Sequence, residues 1–104
     1  MKIDGKTIRS EEEILTALQE EFDQKVEFVV MDNGKDFIQT SGGALEYHEG
    51  DKHSFVADHP VNQEKIKAAF ISYYRNDGKY KQLFAWEEDI YESLWTKIKK
   101  LFSK

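Results

Sequence analysis

The sequence contains no cysteine. No disulfide framework and no thiolate site can be built from it, which excludes the small disulfide-stapled scaffolds. It has one proline, Pro60, and six glycines, so it is not a low-complexity linker. No apolar run approaches the ~20 residues that a helix needs to cross a bilayer. The opening Met1-Lys2-Ile3-Asp4 turns polar at once, so no secretory signal is expected, and a cytoplasmic location is. Motifs that announce chemistry are missing as well. There is no G-x-S-x-G elbow, no EF-hand loop and no dinucleotide fingerprint. Gly5-Lys6-Thr7 lacks the glycine five positions earlier that a phosphate-binding loop requires.

What remains fits one α+β domain over all 104 residues, large enough to bury roughly two-thirds of its unfolded surface. Acidic charge is plentiful and uneven. Residues 1–64 hold 15 acids and 6 bases, net −9, and residues 65–104 hold 5 acids and 9 bases, net +4. An acidic surface repels phosphate backbones, so nucleic acid is not an expected ligand. The same surface steers a basic protein inward.

The chain is organised around residues 26–57, where β-forming runs alternate with turn chemistry at Asn33-Gly34, Gly42-Gly43 and Gly50-Asp51. This predicts an antiparallel meander of four to five strands, near 26–32, 35–41, 44–49 and 52–57. A two-residue type I′ turn at Asn33-Gly34 would pair Val30 with Phe37 and Val29 with Ile38. Phe28, Val30 and Phe37 then share one face; Val29, Met31 and Ile38 share the other. Apolar residues on both faces predict helices over one face and partial cover on the other, which leaves room for a homodimer. In the second hairpin a three-residue loop pairs Tyr47 with Phe55 and keeps the aromatics on the face of Leu45, a register that wastes no burial.

Three helices are expected, one before the sheet and two after it. Ser10 and Glu13 form a capping box that opens a helix over about 11–22, with Ile14, Leu15, Leu18 and Phe22 as its apolar stripe. Val61 and Ile66 flank the N-cap Asn62 as a hydrophobic staple. Ile66, Ala69, Phe70 and Tyr73 continue that helix to about residue 75, where Asn76-Asp77-Gly78 stops it. Trp86-Glu87-Glu88-Asp89 reads as the start of a third helix with acids in its first turn. Ile90, Tyr91, Leu94, Trp95, Ile98, Leu101 and Phe102 form its stripe, with Lys97, Lys99 and Lys100 opposite. Packing of that helix onto the domain is favoured over its lying on a membrane.

Candidate chemistry is thin. His48, His53 and His59 cluster with acids, but none of their spacings is a metal-ligand motif, and His48-Glu49 is followed by Lys52 where H-E-x-x-H needs histidine. No cofactor and no metal are expected, and an enzyme is the minority reading. Tyr73, Tyr80 and Trp86 read as core and margin rather than as a stacking platform.

The capped helix of residues 10–22 is followed by Phe37-Ile38-Gln39, Gly42-Gly43, Leu45-Glu46-Tyr47, His53-Ser54-Phe55-Val56-Ala57, and Phe70-Ile71-Ser72-Tyr73 leading to Trp86-Glu87. Over about residues 8–88 this layout resembles the small immunity proteins of bacterial polymorphic and contact-dependent toxin systems. The resemblance implies a non-enzymatic α+β protein that binds and blocks a cognate toxin domain. A basic nuclease domain would suit the acidic surface. Such families diverge at the binding face, so no contact residue is carried over from them. From charge alone, the candidate contacts are Glu11, Glu12, Glu20, Glu21 and Asp23 on the first helix, with Asp32 and Asp36 at a sheet edge. Two other readings are weighed against this one. The first is an adaptor that self-associates or touches a membrane through residues 87–104, and the second is a small metal-dependent enzyme using His48 and His53.

Overall fold

In the computed structural model, residues 1–49, 53–57 and 60–88 are described. The chain runs β1 (Lys2–Ile3), β2 (Lys6–Thr7), α1 (Glu11–Phe22), β3 (Val29–Asp32), β4 (Phe37–Ser41), β5 (Ala44–Glu49), β6 (His53–Ala57), α2 (Gln63–Arg75), a 3-10 helix (Lys79–Gln82) and β7 (Trp86–Glu88). The fold is α+β. All strands join one antiparallel sheet in the order β2-β1-β3-β4-β5-β6-β7.

Among the described residues, seven strands replace the four or five expected. The lead-in is itself a hairpin, with Lys2 opposite Thr7 around Asp4 and Gly5. At the other edge Trp86–Glu88 pairs with β6, placing Trp86 opposite Ala57. This corrects the reading of Trp86-Glu87-Glu88 as the first turn of a helix. The aromatic ring of Trp86 finds an edge-on contact with Tyr47 at 4.6 Å and donates Nε1–H to the Tyr80 carbonyl at 3.2 Å. Those tertiary contacts outweigh the local preference of glutamates for a helix start. The rest of the expected third helix, from residue 89 onward, lies outside the described residues, as do Gly50-Asp51 and His59.

The β3–β4 register differs from expectation by two residues: Val30 faces Gln39, Met31 faces Ile38 and Asp32 faces Phe37. Asn33 is the reason. Its Oδ1 accepts from the amides of Lys35 and Asp36 at 2.9 and 2.8 Å, and its own amide donates to the Asp36 carbonyl. This Asx geometry lengthens the loop to residues 33–36. A slip of two leaves each residue on its expected face, because side chains alternate with period two. The two-residue turn with both φ positive occurs instead at Gly42 (56°) and Gly43 (87°), between Ser41 and Ala44. The Tyr47–Phe55 pairing is as expected, and the rings stack at 4.9 Å.

Both helices cover one face of the sheet. Val29, Met31, Ile38, Leu45 and Tyr47 meet Ile14 and Leu18 of α1 and Ile66, Ala69, Phe70 and Tyr73 of α2 in one core. Leu15 is not part of it: at 39% exposed it sits on the solvent side of the stripe, while Phe22 is only half-buried. Caps form largely as read. Ser10 accepts from the Glu13 amide and Asn62 from the Lys65 amide. The Glu13 carboxylate, however, takes the amide of Arg9 at 2.9 Å rather than that of Ser10. On the opposite face Val30 and Phe37 are half-buried, and Gln39 and Glu46 are fully buried and hydrogen-bonded to each other across the β4–β5 ladder.

Candidate functional site

Four segments converge at one end of the sheet: the 33–36 loop, the end of β5, the C-terminus of α2 and the 3-10 helix. Local chemistry sets each of them. Asn76 ends α2 in the left-handed conformation (φ 58°), where its short polar side chain is tolerated. Gly78 (φ 75°) then lets the chain reverse into the 3-10 turn. The buried Ser72 hydroxyl holds that turn closed. It donates to the Asp77 carboxylate and accepts from the Tyr80 amide at 2.9 Å.

The result is a polar cavity of about 400 Å3 lined by Asp36, His48, Glu49, Tyr73, Tyr80 and Lys81, with Met1, Asn33 and Asn76 at its margins. Tyr73 is 6% exposed, and its hydroxyl has no hydrogen-bond partner among the described residues. The same is true of His48 Nδ1, which stands 3.7 Å from Asp36 Oδ1 while its ring stacks on Phe37 at 5.1 Å. Lys81 bonds Glu49 at 2.5 Å, and its ammonium lies 6.0 Å from the Tyr80 ring centroid.

The cavity carries a negative field. Burial pushes the Tyr73 hydroxyl well above the usual tyrosine range, and the charges of Asp36, Asp32 and Glu49 add to the rise. Tyr80 is raised by burial, then by Glu49 and Asp36. The carbonyl end of α2 points the same way. Such a site suits a hydrogen-bond donor that carries positive charge. Among the described residues no group of three or more His, Asp or Glu side chains is placed to hold a metal ion. His53 pairs with Glu49 in the ladder, and His48 lies opposite Ser54.

The acids singled out by charge fall into different roles. Glu11 is engaged by Arg75 through two hydrogen bonds of 2.6 and 2.8 Å, which tie α1 to the end of α2 and hold the Glu11 carboxyl below the usual range. Glu21 is buried and accepts the Gly42 amide at 2.7 Å, tying α1 to the β4–β5 turn. Asp23 caps α1 and accepts from Gln19, and Asp32 accepts the Gly34 amide. Asp36 lines the cavity. Asp32 and Asp36 do not mark a sheet edge, because β3 lies between β1 and β4. Glu12 and Glu20 are exposed, and together they line a shallow groove of about 440 Å3 on the outer side of α1. Charge pattern alone does not bring Asp36, Tyr73 and Lys81 together. The available clue is a tyrosine rather than a phenylalanine on the inner stripe of α2, since its hydroxyl needs somewhere to go.

No family model matches this chain, and no curated protein and no solved structure matches it either. No helix among the described residues is long and apolar enough to cross a membrane.

Proposed function

We propose that this chain is a non-enzymatic binding protein of the immunity type, which docks a basic toxin domain, such as a nuclease, on its acidic side and occludes it. The observation that carries the reading is the groove on α1. Glu12 and Glu20 project there into solvent, with no ion pair among the described residues, while neighbouring Glu11 and Glu21 are committed to the fold. Uncommitted carboxylates on a rigid helix steer a cationic surface and speed its association. Blocking is then steric, and the protein needs no chemistry of its own. The charge-reversed double variant Glu12→Lys/Glu20→Lys provides the test. A lysate of the source organism is passed over the wild-type and variant proteins at low and high salt. The reading expects one stoichiometric partner with a basic domain, weakened by salt and lost in the variant, and rescue of growth when the two are co-expressed. Retention of that partner by a folded variant would refute it, as would failure to retain any basic protein.

A further inference from the structure

The cavity at the end of the sheet has unmet hydrogen-bonding capacity in a negative field. Tyr73 Oη and His48 Nδ1 are buried without hydrogen-bond partners among the described residues, and Asp36 stands beside them. A buried polar atom left unpaired costs on the order of 1–3 kcal/mol. Two such atoms, on residues that line one cavity of about 400 Å3, point to a ligand that supplies the missing bonds once the side chains turn toward it.

We infer that this cavity is a receptor for a guanidinium group, presented as an arginine side chain by the protein that docks on the acidic side. The source of the group rests on the proposed function; the chemistry of the site does not. Three features select a guanidinium. Its planar fork spreads five donors over the width of the group, so that it can span a hydroxyl, an imidazole nitrogen and a carboxylate, whereas an ammonium offers three donors from a single point. Its weaker hydration makes its burial less costly than that of an ammonium. The rim already receives a cation from within the chain: the Lys81 ammonium lies against Glu49 and near the face of Tyr80. An anionic ligand would meet Asp36 and the carbonyl end of α2, while Lys81, the cation in the lining, is already engaged by Glu49. A plain apolar ligand would leave Tyr73 Oη and His48 Nδ1 unpaired.

The test is a heteronuclear NMR titration of the full chain with N-acetylarginine methylamide. N-acetyllysine methylamide and N-acetylglutamate methylamide serve as comparators, and Tyr73→Phe and Asp36→Asn as variants. Tyr73→Phe keeps the ring that packs in the core, so folding is retained. The arginine probe should give saturable shifts at His48, Tyr73 and Tyr80. The affinity should fall about fivefold in Tyr73→Phe, the equivalent of one hydrogen bond, and further in Asp36→Asn. Equal response to the lysine probe, tighter response to the glutamate probe, or unchanged affinity in both variants would overturn the inference. If the arginine probe fails while a basic partner is still captured through Glu12 and Glu20, only the cavity assignment falls. If the probe binds as expected and no basic partner exists, the cavity assignment stands and the docking reading falls.

Discussion

Ser72 is the residue whose removal tests the packing logic most directly. Its hydroxyl ties the end of α2 to the 3-10 helix, through Asp77 and the Tyr80 amide, beside the contact of the Tyr73 and Tyr80 rings at 5.4 Å. The Tyr80 carbonyl then receives the Trp86 indole, so β7 is attached to the same point. In Ser72→Ala the half-buried Tyr80 amide loses its acceptor, a cost of about 1–2 kcal/mol. Alanine is the better helix former and returns about 0.5 kcal/mol. The exposed Asp77 carboxylate rehydrates, so its lost bond adds only a small further cost, visible in the pH dependence. The net loss is about 1 kcal/mol, or a Tm roughly 4–8 °C lower for a domain of this size. Thermal and urea melts followed by far-UV circular dichroism and by tryptophan fluorescence, in a Trp95→Phe background so that Trp86 alone reports, would read it. The pH dependence gives a second readout. The Ser72 hydroxyl, then the Lys79 amide, hold the Asp77 carboxyl below the usual aspartate range. A lowered folded value means stability that is present above that range and lost as pH falls through the folded value. Ser72→Ala should therefore flatten the acid limb below about pH 4. An unchanged Tm would refute the argument. So would a Ser72→Ala/Asp77→Asn double variant whose loss is the simple sum of the two singles, since coupled partners do not add.

Other consequences are simpler to check. The Glu11–Arg75 pair is solvent-exposed, so Arg75→Ala should lower Tm slightly, less at high salt, and the swap Glu11→Arg/Arg75→Glu should recover only part of the loss in a thermal melt, because it sets both charges against their helix dipoles. Because Arg75 depresses the Glu11 carboxyl, Arg75→Ala should also weaken the stability gained between strongly acidic pH and the ordinary glutamate range. Glu21→Ala strands the Gly42 amide and should cost about 1–3 kcal/mol by urea denaturation, against a near-neutral effect for Glu20→Ala on the same helix. Leu18→Ala should cost about 2–5 kcal/mol, whereas Leu15→Lys should stay within roughly 0.5 kcal/mol, although both belong to the apolar pattern of α1.

Much of the secondary structure was legible because it is set locally. Ser10 and Asn62 cap helices through their own side chains, Asn76 and Gly78 end α2 through backbone freedom, and period-two alternation grouped Met31 with Ile38 and Leu45 with Tyr47, while the β4–β5 ladder that puts all four on one face came from the structure. The register of β3 against β4 was not legible, because Asn33-Gly34 is compatible with both a two-residue turn and an Asx loop, and both leave the same faces buried. Trp86–Glu88 was misread for a related reason. Its glutamates favour a helix start, but the indole's contacts with Tyr47 and Tyr80 exist only once the sheet is assembled.

By itself, then, the sequence determined the class of fold, the two described helices with their ends, the side-chain alternation along each central strand and the acidic balance, all properties of neighbours along the chain. The tertiary structure decided which carboxylates are free and which are structural. Glu11 is claimed by Arg75 and Glu21 by the Gly42 amide, while Glu12 and Glu20 reach solvent. It also assembled the cavity of Asp36, His48, Tyr73 and Lys81 from four separate segments. The reason is that charge and periodicity are visible one residue at a time, whereas a hydrogen-bond partner or a shared cavity depends on distances that only the folded chain sets.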